Sequence, residues 1–266
     1  MLLDFARLGY LRWVLVAIGV LVCAYLVLPI VFIVALSFGT SRWLAFPPPG
    51  WTLKWYAEFF DSPQWLGSLW TSAQVATIVM VLSVLLGLLA SFAIVRGRFR
   101  GRTVLRFLLL TPMVLPVIVL AVGLYGLLLR LGINGTLFGI VAAHLVIALP
   151  FSVIMISNSL IGFDRAIEDA AVVCGASPLQ AKLKVTLPAI RLGIGGAAIF
   201  SFLASWDEVV LAIFMSSPLI QTFPVRIWTV LRQDLTPVIA AASSLLILLT
   251  TIILLAIVVV MQRRPR

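Results

Sequence analysis

The stretch EDAAVVCGASPLQAKLKVTLPAI, residues 168–190, is a polar segment that lies between two long apolar runs. The chain around it is 63% hydrophobic and 11% charged, with a mean hydropathy of +1.21. Soluble domains average about 45–50% apolar and about 25% charged residues. The chain is therefore predicted to be an integral membrane protein, and the polar stretch must do something other than span the membrane.

The local pattern of this stretch predicts two short helices joined at a glycine. Asp164 is placed to cap the first helix, and Gly175 is placed to end it. Ser177 and Gln180 have the spacing of a capping box at the start of the second helix. Pro188 is expected to break that second helix.

One face of the first helix is small and apolar. Ile167, Ala170, Ala171 and Cys174 follow the i, i+3, i+4, i+7 spacing of a helix face. The stretch supplies no partner for this face. The residues alone leave two alternatives, a groove on another protein or the surface of the bilayer.

Six apolar stretches are long enough to cross a bilayer, which needs about 20 residues of helix. They are approximately Trp13–Leu36, Leu69–Val95, Phe107–Leu129, Leu137–Leu160, Leu192–Met215 and Val238–Met261. The first follows two arginines, as a signal peptide would, but its uninterrupted length favours a retained helix. The predicted fold class is all-α, a polytopic membrane protein with six transmembrane helices.

The Lys and Arg residues indicate the orientation of these helices. Of the 19 Lys and Arg residues, 14 fall on the side that holds both termini and residues 164–189. That side is predicted to be cytoplasmic, so residues 37–68 form an extracytoplasmic loop. The net charge of +10 then reports topology and contact with anionic lipid headgroups, and no nucleic-acid partner is expected.

The outer loop is rich in tryptophan. Trp43, Trp51, Trp55, Trp65 and Trp70 lie in it or beside it. Such a cluster is typical of an aromatic belt at the membrane interface. Docking of an external partner is the alternative that the sequence leaves open.

Catalytic and metal-binding motifs are not evident in the sequence. None of the three lysines follows a glycine, as the Walker A loop requires, so the chain is not expected to bind ATP. The two cysteines, Cys23 and Cys174, are far apart, and His144 is the only histidine. A metal site is therefore not expected.

Two adjacent acids, Asp207 and Glu208, fall inside the fifth predicted span. Keeping a carboxylate at that depth costs about 2.5–3.5 kcal/mol on insertion scales, so such residues usually face a pathway or a neighbouring helix. Trp206 beside them is able to stack on a cation, although packing is the commoner role. Two interpretations stay open: a cation-attracting site in a substrate pathway, or a structural pair that joins helices.

The stretch 168–190 resembles the cytoplasmic EAA loop of permeases from binding-protein-dependent ABC importers. That family pattern is E-A-A, three residues, G, nine residues and I-x-L-P. The matching residues, expected to couple this chain to an ATPase, are Glu168, Asp169, Ala170, Ala171, Gly175, Leu187 and Pro188. Two positions depart from the pattern, because Asp169 replaces the usual Glu and Val185 the usual Ile.

Further segments are similar to permeases of the spermidine/putrescine type. They are HLVIALPFSVIMI (144–156), SWDEVVLAIFMSS (205–217) and TFPVRIWTVLRQDLTPVIAAASSLLILLT (222–250). The likeness covers approximately residues 70–260. It implies a type I ABC importer permease, of MetI-like architecture, whose single transmembrane domain spans residues 1–266 in a bacterial inner membrane.

The resemblance also implies partners. A second permease subunit would complete a heterodimer, two cytoplasmic ATPase subunits would bind ATP and Mg, and an extracytoplasmic binding protein would deliver the solute. The chain itself would need no cofactor and would catalyse no reaction.

The predicted substrate is a polyamine or a similar cationic amine. The alternatives are another solute, such as a phosphonate, an opine or an amino-acid-like compound. A rival of a different class is a proton-coupled secondary transporter that uses Asp207 or Glu208 as its proton site.

Overall fold

The computed structural model describes the backbone of residues 9–262 and the side chains up to residue 255. Its helices, in chain order, are α1 (Leu11–Leu36), α2 (Lys54–Asp61), α3 (Pro63–Arg96), α4 (Arg102–Leu110), α5 (Val117–Arg130), α6 (Leu137–Ile161), α7 (Arg165–Val173), α8 (Pro178–Ala181), α9 (Leu187–Ala189), α10 (Arg191–Trp206), α11 (Val210–Met215), α12 (Phe223–Gln233) and α13 (Pro237–Gln262). Residues 111–113 form a 3-10 turn and residues 182–186 a π-helical segment. The predicted all-α class is confirmed.

Four of these helices, α1, α3, α6 and α13, are long and apolar enough to cross a membrane by themselves. Two further spans are bent pairs. Arg102–Met113 meets Val117–Arg130 at 105°, and Pro178–Ala189 meets Arg191–Trp206 at 71°. The described part of the chain therefore holds six candidate spans when each bent pair counts as one.

The third predicted span, Phe107–Leu129, is wrong as a continuous helix. The chain leaves α4 through the 3-10 turn that contains Pro112, and Pro116 precedes α5 with an extended ψ of 127°. Proline lacks the N–H that would continue the helical ladder, so two prolines four residues apart favour a break. Pro150 lies inside α6, which continues to Ile161.

The fifth predicted span, Leu192–Met215, is also wrong as a continuous helix. Helix α10 ends at Trp206 and α11 begins at Val210, so Asp207 and Glu208 lie in a break. The carboxylate of Glu208 accepts the Leu211 N–H at 2.8 Å, and this bond supplies a partner for a free donor at the start of α11.

The domain predicted over residues 1–266 divides into two compact units. One contains the described residues up to Pro63 together with Thr229–Ala256, and the other contains Gln64–Trp228 with residues 257–262. In the first unit the Trp55 indole donates to the Gly39 carbonyl at 2.6 Å. Trp55 and Trp65 are buried, whereas Trp43, Trp51 and Trp70 are exposed as an aromatic belt requires.

The second unit is built on the close packing of α6 against α10. Gly193 of α10 faces Ser159 of α6 so closely that an added Cβ would lie 1.9 Å from the Ser159 Oγ. Small residues at such positions let helix backbones approach, which is the usual basis of helix association in membranes. Apolar side chains around Ile156 and Ile190 complete this part of the core.

Candidate coupling loop and intramembrane polar site

Helix α7 begins as its sequence predicts. The Asp164 carboxylate accepts the Ala166 N–H at 2.9 Å, which satisfies one of the free donors at the helix start. Asp169 lies 3.8 Å from Arg165 in an exposed i,i+4 pair. Such exposed pairs contribute about 0.3–0.5 kcal/mol, so the pair adds little to the stability of this helix.

The end of α7 is a Schellman motif centred on Gly175. The Gly175 N–H donates to the Val172 carbonyl at 3.0 Å, and the Ala176 N–H donates to the Ala171 carbonyl at 3.1 Å. Gly175 has a φ of +96°, in the left-handed region that favours glycine. The predicted glycine elbow between two helices is present.

Helix α8 starts with the predicted capping box. The Ser177 hydroxyl accepts the Gln180 N–H at 3.2 Å, and the Gln180 side chain accepts the Ser177 N–H at 3.0 Å. Pro178 occupies the first turn, where its missing N–H has no cost.

Pro188 does not break this second helix, contrary to the prediction. The helical path continues through the π-helical residues 182–186 and α9, and it bends only after Ala189. A new series of α-helical hydrogen bonds begins after the wider π turn. Pro188 is among the first residues of α9, whose backbone N–H groups have no acceptor within that helix, so its missing N–H costs nothing. The bend of 71° therefore lies between α9 and α10.

The loop formed by α7–α9 is closed by a side-chain hydrogen bond. The hydroxyl of buried Thr186 donates to a carboxylate oxygen of Glu168 at 3.0 Å. A hydrogen bond to a charged group is worth about 1.5–3 kcal/mol. Glu168 therefore fixes α7 against the π-helical segment.

The opposite side of this loop is apolar and uncovered. Val173 is 87% exposed and Leu179 65% exposed. Ile167 and Leu183 are exposed as well, and so is Ala170. Neighbouring large apolar side chains on a polar loop are typical of a surface that another protein covers.

The inner side of the loop is attached to the ends of α3 and α6. Leu187 and Ile190 pack in the same apolar cluster as Phe92 of α3 and Leu160 of α6. The Lys182 ammonium lies over the Phe92 ring, 5.8 Å from its centre. The loop is therefore packed directly against these helix ends.

Arg96 closes the end of α6 that leads into the loop. Its guanidinium donates to the carbonyls of Leu160 and Phe163, at 3.2 and 2.9 Å. These carbonyls lie at the negative end of the helix, where a cation is favourable.

A polar seam runs between α3, α6 and α10 in the middle of the bundle. The hydroxyls of Ser83, Ser152 and Ser201 lie 2.8–3.0 Å from one another and are fully buried. His144 continues the seam, because its Nδ1 and the Ser205 hydroxyl share a hydrogen bond of 2.9 Å. Sequence reasoning missed the serines of this seam, although the i, i+4 spacing of Ser201 and Ser205 on α10 is a visible signal.

The two acids at the end of α10 have different surroundings. Glu208 is half-buried and bonded to the start of α11, whereas Asp207 is exposed and forms no ion pair with any described residue. Trp206 is 3% exposed and stacks on Phe202 at 5.5 Å. Burial favours the packing role of Trp206, and Asp207 is the more exposed of the two acids.

Residues 83–266 match the family described as "Binding-protein-dependent transport system inner membrane component". The spermidine/putrescine transport system permease protein PotC of Escherichia coli K12 is 30% identical over 216 residues, which are 81% of each chain. The sulfoquinovosyl glycerol transport system permease protein SmoH of Agrobacterium fabrum is 29% identical over 206 residues, 75% of this chain and 72% of that protein.

A chain in the crystal structure of a bacterial ABC transporter that imports the acidic polysaccharide alginate has a similar fold. The two chains superpose with a TM-score of 0.70 over 99% of each, at 17% identity. This likeness supports the fold, and at that identity it carries no information on the solute.

Proposed function

The chain belongs to the family of inner membrane components of binding-protein-dependent transport systems, and it is an ABC importer permease subunit of the inner membrane. We propose that it provides, with a second permease, the pathway for a polyamine or a similar cationic amine. We further propose that the loop formed by α7–α9 is the surface through which an ATPase drives it.

The observation that carries this proposal is that the loop leads, after one bend, into a single helix that ends at Asp207. The chain turns from α9 into α10, which runs as one helix of 16 residues to the break at Asp207. At about 1.5 Å per residue that helix is about 24 Å long. A displacement of the loop is therefore transmitted through α10 to the acid.

Coupling of this kind needs rigid elements and a surface for the motor. Close packing at Gly193 and the serine seam hold α10 against α6, so these helices are expected to move together. The exposed apolar side chains Val173, Leu179 and Leu183 offer the docking surface. ATP-driven closure of two ATPase subunits would then swing the loop and switch access between the two sides of the membrane.

The remaining proposed partners follow from the family. An extracytoplasmic binding protein would deliver the solute, and a second permease, in a heterodimer, would supply the other wall of the pathway. Neither a cofactor nor a catalytic group is assigned to this chain, because ATP and Mg would bind the ATPase subunits.

The proposed substrate class is supported by two observations. The relatives named for spermidine and putrescine transport are 29–31% identical to this chain, and an exposed carboxylate at the helix break suits a cation. SmoH, named for a sulfoquinovosyl glycerol system, has similar identity, so the identity alone does not select the amine. A proton-coupled secondary transporter finds no support in this family.

The coupling assignment is tested with variants of the loop in the assembled importer. Gly175→Pro and Glu168→Lys are expected to abolish ATP-driven uptake, because the first breaks the elbow and the second reverses the charge that binds Thr186. Membrane insertion should be unchanged, and the wild-type chain should co-purify with an ATPase. Normal ATP-driven uptake in both variants would contradict the coupling assignment.

The substrate assignment is tested separately with radiolabelled putrescine, spermidine and a phosphonate. Asp207→Asn is expected to lower amine uptake, whereas Glu208→Gln should keep most of it, because a glutamine oxygen still accepts the Leu211 N–H. Uptake of the phosphonate but of neither amine would overturn the polyamine proposal and leave the coupling assignment standing.

A further inference from the structure

A cavity lies beside the end of α6 that leads into the coupling loop. It has a volume of about 240 Å³ and is bounded by the last turns of α3 and α6 and by α4. Its polar lining consists of Arg102, Arg106, Ser157 and Asn158, and the rest is apolar, including Ile154 and Leu110. None of the described residues that line it is acidic.

The two arginines carry charge that no acid in the described part of the chain neutralises. Arg102 and Arg106 are four residues apart on α4, so they lie on the same face of the helix. Arg102 has only a long contact of 3.5 Å with the Gly97 carbonyl, and Arg106 has no bonding partner among the described residues. Two guanidinium groups therefore converge on one cavity without a counter-charge.

The other side of α4 is suited to lipid. Val104, Phe107 and Leu108 are each more than two-thirds exposed. A short helix with basic residues on one face and large apolar residues on the other is typical of a helix in the membrane interface. The first residue of α4, Arg102, lies on the side of the membrane that the Lys and Arg distribution assigns to the cytoplasm.

We propose that this cavity binds the phosphate headgroup of an anionic phospholipid of the cytoplasmic leaflet. Guanidinium groups bind phosphate oxygens in paired hydrogen bonds, and basic pockets between membrane helices are known to hold anionic headgroups. Sites for whole drug-sized ligands have volumes of about 300–1,000 Å³. This cavity is smaller, so it suits the headgroup of a lipid and not the whole lipid. The acyl chains would lie outside it, in the bilayer around α4.

The site would tie α4 to the end of α6, next to the coupling loop. The exposed Asn158 adds an amide donor for the headgroup, whereas the Ser157 hydroxyl already donates to Ser91 of α3 and ties α6 to α3 beside the cavity. A bound lipid would therefore join the ends of three helices at the place where the loop is anchored.

The test is a titration of the full-length chain with phosphatidylglycerol, followed by native mass spectrometry. Arg102→Gln with Arg106→Gln is compared with Arg98→Gln and Arg100→Gln, which remove the same charge from the same basic segment but do not line this cavity. We expect the first pair to raise the Kd by about tenfold or more, since it removes the paired guanidinium hydrogen bonds to the phosphate. The second pair should change it much less.

Four results would overturn the proposal. Equal weakening by both pairs would mean diffuse attraction, and equal binding of phosphatidylethanolamine would mean no selection for an anionic headgroup. Saturation by inorganic phosphate, with loss of lipid binding, would mean a site for a free anion. Loss of ATPase co-purification in the Arg102 and Arg106 pair, with phosphatidylglycerol binding unchanged, would assign the cavity to the ATPase.

A charge-preserving variant keeps the test valid if the glutamine pair fails to reach the membrane. Arg102→Lys with Arg106→Lys retains both charges but loses the planar pair of donors. It is expected to weaken phosphatidylglycerol binding by about threefold, and unchanged binding would contradict the proposal.

Discussion

At the scale of single residues, the contact of Gly193 with Ser159 decides how closely α6 and α10 approach. A Cβ at position 193 would collide with the Ser159 side chain, whereas a Cβ at Gly195, on the same helix, would meet nothing within 4 Å. We expect Gly193→Ala to destabilise the chain by about 1–3 kcal/mol through overpacking. Gly195→Ala is not expected to destabilise the chain. Thermal unfolding in detergent measures both variants, and an equal loss of stability in the two would contradict the packing argument.

The bond between Thr186 and Glu168 gives a second prediction at this scale. Thr186→Val removes the donor and leaves a half-buried carboxylate without its partner, which costs about 1–3 kcal/mol. The assembled importer should then hydrolyse ATP with less stimulation by its solute. Thr186→Ser keeps the hydroxyl and is expected to retain most of the stimulation. A serine variant as weak as the valine variant would show that shape at position 186 matters and the bond does not.

At the scale of elements, Gly175 sets the angle between α7 and α8. Its φ of +96° strains any residue with a Cβ, and a left-handed conformation costs a non-glycine residue about 1–2 kcal/mol. No atom lies within 4 Å of an added Cβ, so Gly175→Ala isolates this conformational cost from any clash. We expect lower ATP-driven uptake with normal insertion.

The control for the elbow is Gly162→Ala at the end of α6. Gly162 has a φ of −75°, which alanine adopts readily, and an added Cβ would make only ordinary contacts. Uptake by this variant should match wild type. Equal loss in the two variants would mean that flexibility of the whole region, and not the elbow, is what transport requires.

The elements that the sequence predicted well are those whose signals are local. Hydropathy located α1, α3, α6 and α13, and capping chemistry located α7 and α8, because each depends on residues a few positions apart. The break before α11 was missed, since a continuous apolar run that contains no proline looks the same whether or not its helix bends. The serine seam joins residues 49–118 positions apart, and no local pattern reports such contacts.

The candidate site could be predicted only in part, because the sequence reports local patterns and does not report where a helix breaks. Spacing located the proposed coupling loop, but the separate positions of Asp207 and Glu208 depend on where α10 ends. Adjacent acids within one helix would point about 100° apart. The break instead lets Glu208 accept a hydrogen bond that caps α11, and it leaves Asp207 exposed.

At the scale of the whole molecule, the membrane replaces part of the core. The apolar window of α1 has no residue buried within the chain, so bilayer lipid or another subunit must cover it.

The two thiols allow the predicted membrane topology to be tested. In Cys23→Ser, Cys174 is the only cysteine and it is exposed in the coupling loop. A membrane-impermeant maleimide should therefore label it in inverted vesicles and not in intact spheroplasts, and a bound ATPase should slow that labelling. Leu219→Cys in a chain lacking both native thiols is the outward control, because Leu219 is 95% exposed in a loop predicted to lie outside. Labelling of Cys174 in spheroplasts as fast as that control would reverse the topology and would remove the loop from reach of an ATPase.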